Sequence, residues 1–218
     1  MYLNPARFDR HLEKLGQKLG WRRSYACACV NPDSGAPDPK HQLCNGKGRL
    51  WDAKVDTVAG VARQAIDMEN GTPGMFETGD MLMSIPESSV MYDNIGQYDR
   101  ILMMNSTTVF SQPLKRGAPS ERLLFSVAKF SRVFTLDSVN RLPVDFPLPV
   151  VDALGNLSWP NNDGPPAGTV YSITGSKYDE YFCFQNTPSD RGEHSGARLP
   201  KRVSLRAFDL FGRSNVSG

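Results

Sequence analysis

Cys27-Ala28-Cys29 and His41-Gln42-Leu43-Cys44 place three of the chain's four cysteines and one of its three histidines within eighteen positions. Two close ligand pairs separated by a loop suit a tetrahedral Zn²⁺, because each pair spans one edge of the coordination shell. The loop from Val30 to Lys40 holds Pro32, Asp33, Gly35, Pro37, Asp38 and Pro39, a composition that folds back on itself without forming an element. Gly46 and Gly48 follow the last cysteine, where positive φ lets backbone N–H groups approach a thiolate. Inert reduced thiols and a disulfide are the alternatives. Cys-x-Cys is a strained pair for an internal bridge, and the opening Met1-Tyr2-Leu3-Asn4-Pro5 does not read as a secretory signal, so the disulfide is the weaker of the two. The expectation is a structural zinc on Cys27, Cys29, His41 and Cys44. Four ligands leave no open position, and no His-Glu-x-x-His pattern marks a catalytic ion.

A chain of 218 residues can bury one good core, or one core plus a small appendage. Its 25 Lys and Arg against 23 Asp and Glu do not by themselves ask for a nucleic-acid partner. No apolar run approaches a membrane span, so the expectation is a protein made in a reducing cytoplasm with no membrane partner. Cys183, alone in a strand-like run, reads as a small core residue.

Asn4-Pro5 predicts a helix start, and Phe8, Leu12, Leu15 and Leu19 recur at helical spacing among charged residues, with Gly20 ending the helix. That stripe must dock, either on a neighbour or on the chain's own core. Residues 1–49 therefore read as an N-terminal arm of helix plus zinc knuckle. From Trp51 the period changes to alternation, in Trp51, Ala53, Val55, Ala59 and Val61 and again in Met81, Met83 and Ile85. Short apolar runs follow at Ile101–Met104 and Val133–Leu136, punctuated by glycines, including Gly71, Gly74 and Gly79. The fold class is mainly β: a small antiparallel barrel or sandwich over residues 50–218, carrying the helix and the knuckle. Residues 137–168 hold six prolines and predict either an extended excursion over the surface or a projecting loop. Gly175-Ser176-Lys177 between two apolar runs predicts a hairpin, and Lys201–Ala207 predicts a last strand with Val203, Leu205 and Ala207 on one face.

Catalytic motifs are few. His194 lies in a polar loop with Ser189 and Asp190, but no nucleophile elbow, phosphate-cradling loop or dinucleotide fingerprint accompanies it. The chain does not read as an enzyme. Arg191, Arg198, Lys201, Arg202, Arg206 and Arg213 form a basic tail facing only Glu193 and Asp209 nearby. Such a run is a solvated face, a subunit interface, or a contact for nucleic-acid phosphate.

The run Tyr25 to Gly35, then Pro37-Asp38-Pro39 and His41 to Gly48, resembles the neck proteins of tailed bacteriophages. In these head-to-tail connector components a Cys-x-Cys, an acidic Pro/Gly loop and a Cys-x-x-Cys-x-Gly-x-Gly lie near the N-terminus. His41 stands where a cysteine is frequent, an exchange zinc accepts. Weaker likeness continues in Val90 to Ile101 and Gly196 to Arg206. The resemblance implies a virion protein of the neck that forms a homo-oligomeric ring around the genomic DNA channel. A portal or adaptor would lie above it, and a tail-tube or tail-terminator protein below. It also implies that Arg191, Arg198, Lys201, Arg202 and Arg206 face a subunit or DNA, and that the Phe8/Leu12/Leu15/Leu19 stripe is a docking face. Two other classes compete: a zinc-containing nucleic-acid-binding module and, behind it, a metal-dependent hydrolase.

Overall fold

A computed structural model describes residues 5–44, 46–63, 80–152, 155–186, 193–194 and 196–210. Helix α1 (Pro5–Leu15) is followed by strands β1 (Gln17–Arg22), β2 (Ser24–Ala26), β3 (Arg49–Trp51), β4 (Val55–Arg63), β5 (Met81–Ile85), β6 (Arg100–Lys115) and β7 (Val127–Leu136). Next come β8 (Pro143–Phe146), β9 (Val150–Val151), β10 (Leu157–Ser158), β11 (Val170–Asn186), β12 (Glu193–His194), β13 (Ala197–Arg198) and β14 (Lys201–Ala207). The chain divides into two compact units, residues 1–105 with 180–218 and residues 106–179, and β6 and β11 run through both.

The first unit is the expected barrel. Six antiparallel strands follow the order β14-β5-β4-β1-β6-β11, and pairing of β11 with β14 closes the ring. Alternation in sequence becomes inside and outside on the wall. Leu19 and Trp21 from β1, Met83 and Ile85 from β5, Ile101 and Met103 from β6, and Val203 and Leu205 from β14 fill one core. Cys183 is fully buried among them, a core residue as expected, and Met91 and Ile95 enter from the connection between β5 and β6.

Leu19 corrects the helix stripe. The helix stops at Leu15, where the Gly16 N–H donates to the Leu12 carbonyl at 2.7 Å, and Leu19 lies in β1, fully buried and paired with Thr57 and Met103. Helical spacing and alternation coincide over so short an apolar series, and the barrel's demand for a sixth wall strand decides between them. Leu12 is buried with α1 against β4, while Leu15 is 72% exposed; of Phe8 only its place in the helix is described. Because β1 belongs to the barrel wall, residues 1–49 are not a separate arm and the barrel does not begin at residue 50.

The second unit has its own core, with Phe110 and Leu114 of β6, Leu123, Val133 of β7, Trp159, and Tyr171 and Ile173 of β11. The Pro-rich stretch contributes to this unit instead of projecting as a loop. β8 pairs with β7, β9 pairs with β10, and Trp159 is buried with Phe146 and Leu157 beside it. Prolines are tolerated at such short edge strands, and the apolar residues between them supply the reason to fold back.

The hairpin expected at Gly175 is absent: β11 continues for 17 residues. Its register against β7 shifts between Thr174 and Gly175 and again between Ser176 and Lys177, so the glycine marks bulges in one strand. A Cβ on Gly175 would stand 2.3 Å from the Lys129 carbonyl oxygen and 3.1 Å from the Phe130 Cα. Gly175→Ala should therefore cost roughly 1–3 kcal/mol through backbone displacement, read as a lowered denaturation midpoint. An unchanged midpoint would show that the bulge yields freely.

Candidate metal centre

The knuckle is the end of a barrel hairpin. β1 pairs with β4 in the wall, and their continuations β2 and β3 pair as a ribbon, Ser24 with Trp51, Tyr25 with Leu50 and Ala26 with Arg49. Residues 27–48 are thus carried by two neighbouring wall strands. The Cys27 N–H donates to the Gly48 carbonyl at 2.9 Å, closing the loop at its neck.

Inside this loop the four expected side chains converge. The Sγ atoms of Cys27, Cys29 and Cys44 and a ring nitrogen of His41 all lie within 4.8 Å of one another. Cys27 Sγ is 3.5 Å and Cys44 Sγ 3.4 Å from His41 Nδ1, and Cys29 Sγ is 3.5 Å from Cys44 Sγ. A tetrahedron with bonds of about 2.3 Å to sulfur and about 2.05 Å to nitrogen has edges of about 3.8 Å and about 3.5 Å. The three separations lie close to these edges, and the whole set spans no more than 4.8 Å. All four cysteines are free thiols, and 3.5 Å is far beyond a disulfide bond. These four residues can hold a metal ion.

Local backbone explains the convergence. Gly46 and Gly48 have φ of +70° and +68°, and a Cβ on Gly46 would meet the Pro39 carbonyl oxygen at 2.9 Å. The two left-handed residues turn the chain back under its own Pro-rich loop. Asp38 sets the approach of His41: its side chain accepts from the Lys40 N–H at 2.9 Å and its carbonyl from the His41 N–H at 3.1 Å. The Gly46 N–H then returns to the His41 carbonyl and the Lys47 N–H to that of Cys44.

The thiols do not ionise alike. Burial raises the Cys44 thiol, but the His41 ring, the Gly48 N–H and the neighbouring thiols outweigh it and bring the group down to about 7. Cys29 is pushed up to about 11, first by burial and then by its hydrogen bonds with Cys27 and Cys44. Cys44 is therefore the readier thiolate, and ionising Cys29 beside it needs a cation to accept the charge.

Beneath the knuckle lies a polar node that sequence reading missed. Asp99, 1% exposed, accepts from Trp21 Nε1 at 2.8 Å, the Ser24 N–H at 2.8 Å and the Gly96 N–H at 3.0 Å. It ties the crossover from wall to ribbon to the segment before β6. Next to it, Arg100 donates through Nε to Glu180 at 2.6 Å and lies 4.0 Å from the Phe208 ring centroid. Trp51 meets the same Phe208 edge-on at 5.4 Å and donates to the Tyr98 carbonyl at 3.0 Å. The sequence signal was adjacent: Asp99-Arg100 directly precedes the apolar run at Ile101, an expensive place for charge unless both groups are paired.

Three of the four described members of the basic tail are engaged within the chain. Arg198 pairs with Asp93 at 3.1 Å, Arg206 holds the buried Asp80 at 2.9 Å, and Lys201 donates to the Tyr92 carbonyl at 3.2 Å. Arg202 is exposed with no ion pair among the described residues. Arg191 and Arg213, with Ser189 and Asp190, lie outside the described residues, as do Gly71, Gly74 and Gly79. No helix among the described residues is long and apolar enough to cross a membrane. A comparison with family models finds no match, and a comparison with curated proteins finds no relative.

Proposed function

We propose that this chain is a structural component of a tailed-phage neck, a ring-forming β-barrel stiffened by a structural zinc. The observation that carries the reading is the cluster itself. The motif that bears the resemblance, Cys-x-Cys with His-x-x-Cys-x-Gly-x-Gly, assembles into one four-ligand shell at the end of a barrel hairpin. Three thiolates and an imidazole in tetrahedral array favour Zn²⁺ over harder ions. A shell filled by protein leaves no position for substrate, which favours a structural role over a hydrolytic one. The pairing of Arg198 and Arg206 with carboxylates leaves the basic tail few donors for phosphate, which disfavours the nucleic-acid module. In this reading the protein is made in the host cytoplasm and ends in the virion, between portal or adaptor and tail, with genomic DNA passing through.

The test is elemental analysis and native mass spectrometry on untagged protein, alone and with a portal protein. About one zinc per chain together with closed rings, formed alone or on the portal, is the expected result. Protein that carries zinc yet stays monomeric in both conditions, and binds duplex DNA with steep salt dependence, would move the assignment to the nucleic-acid module.

A further inference from the structure

Seven arginines among the described residues lie over an aromatic ring. Five of them place their remaining donors on a carboxylate of this chain. These are Arg100 with Glu180, Arg116 with Glu121, Arg132 with Asp145, Arg198 with Asp93 and Arg206 with Asp80. Arg49, 4.4 Å from the Tyr98 ring centroid, and Arg23, 5.9 Å from that of Tyr25, have no carboxylate within ion-pair reach among the described residues. A guanidinium laid on a ring keeps its in-plane N–H fork directed outward, and the ring already restrains it. Both stand at the root of the knuckle, Arg49 in β3 and Arg23 just before β2.

The complementary charge sits on the same element. Asp33 and Asp38, in the loop between the two ligand pairs, are exposed and make no ion pair among the described residues. The knuckle therefore carries two arginines without an ion pair at its root, beside the exposed Asp52 that accepts from Tyr25, and two carboxylates without one on its loop, beside the exposed Lys40; no salt bridge among the described residues joins the two sets within one chain. Two different patches of one chain that suit each other, yet do not meet within it, are the requirement for a head-to-tail contact between copies.

We propose that the Asn31–Ala36 turn of one copy's knuckle, through Asp33, docks on the Arg23/Arg49 root of the next, making the knuckle the clasp of the ring; this rests on the neck reading. A second copy fits better than nucleic acid. The five precedents in this fold are all arginine–carboxylate pairs, and a phosphate backbone lying along the knuckle would also meet Asp33 and Asp38. Rigidity matters to such a clasp, since a loop held by a bound metal would present its carboxylate without an ordering cost.

The test is a charge swap in the full chain, with assembly followed by native mass spectrometry and sedimentation, and metal content confirming an intact knuckle. Arg23→Glu with Arg49→Glu, and separately Asp33→Arg, should each raise the concentration needed for assembly by roughly tenfold or more. Combining all three should restore assembly to near the wild-type concentration. Rings that persist unchanged in the reversed variants would overturn the clasp and leave the neck reading standing. Loss of rings without recovery in the combination would overturn the pairing, and loss of DNA binding with rings intact would give these arginines to phosphate. Wild-type protein that stays monomeric, alone and with portal, would remove the neck reading and the clasp with it.

Discussion

Cys29→Ser will weaken metal binding by roughly 100-fold or more while the barrel keeps its structure. The direction follows from how little else orders residues 27–48. Cys27 and Cys44 are buried, but Leu43 is 49% exposed, Val30 is half-buried, and among the described residues no knuckle side chain belongs to either hydrophobic core. A segment without a core depends on its ion for order. The barrel depends on Leu19, Met83, Ile101, Val203 and their neighbours, which lie in strands bonded into a closed wall. Serine in place of Cys29 removes a soft ligand and leaves the cluster an oxygen that the ion accepts poorly. Elemental analysis should report the loss of metal. Hydrogen exchange should show faster amides across 27–48 with unchanged protection in β5 and β14. Equal loss of protection in those strands would show that the knuckle is integral to the barrel and sink the prediction.

Arg100→Ala should lower the melting temperature by roughly 6–20 °C, the equivalent of about 3–5 kcal/mol for an uncompensated buried charge in a chain of this size. Arg100 and Glu180 side chains are 7% and 5% exposed, so truncating the arginine removes a charged partner from a glutamate held away from water. The arginine also supports Phe208 and lies 5.7 Å from the Trp51 ring, so packing under the knuckle is lost with the charge. Arg100→Met with Glu180→Leu separates the two contributions. Replacing both partners by apolar groups removes the desolvation cost and should recover most of the lost melting temperature. A single variant that melts with wild type would mean that Glu180 finds water or another donor, and that the pair carries little of the fold.

The sequence by itself determined what local chemistry controls. Alternation at Met81/Met83/Ile85 and Val203/Leu205 marked wall strands, because neighbouring side chains on a strand must face opposite sides. The ligand set was legible from spacing, since pairs two and three residues apart are close whatever the rest of the chain does, and glycines after Cys44 allow the turn that joins them. Tertiary structure alone decided what depends on partners distant in sequence. Leu19 suits a helix or a strand equally, and only β4 and β6 on either side make it part of a wall. Gly175 suits a turn or a bulge, and the approach of the Lys129 backbone selects the bulge. Arg198 of β13 and Arg206 of β14 looked available for a partner until Asp93 and Asp80, more than a hundred residues earlier, came within reach. Charge pairing between distant residues is a property of the closed chain, and residue spacing along it carries no record of which carboxylate meets which arginine.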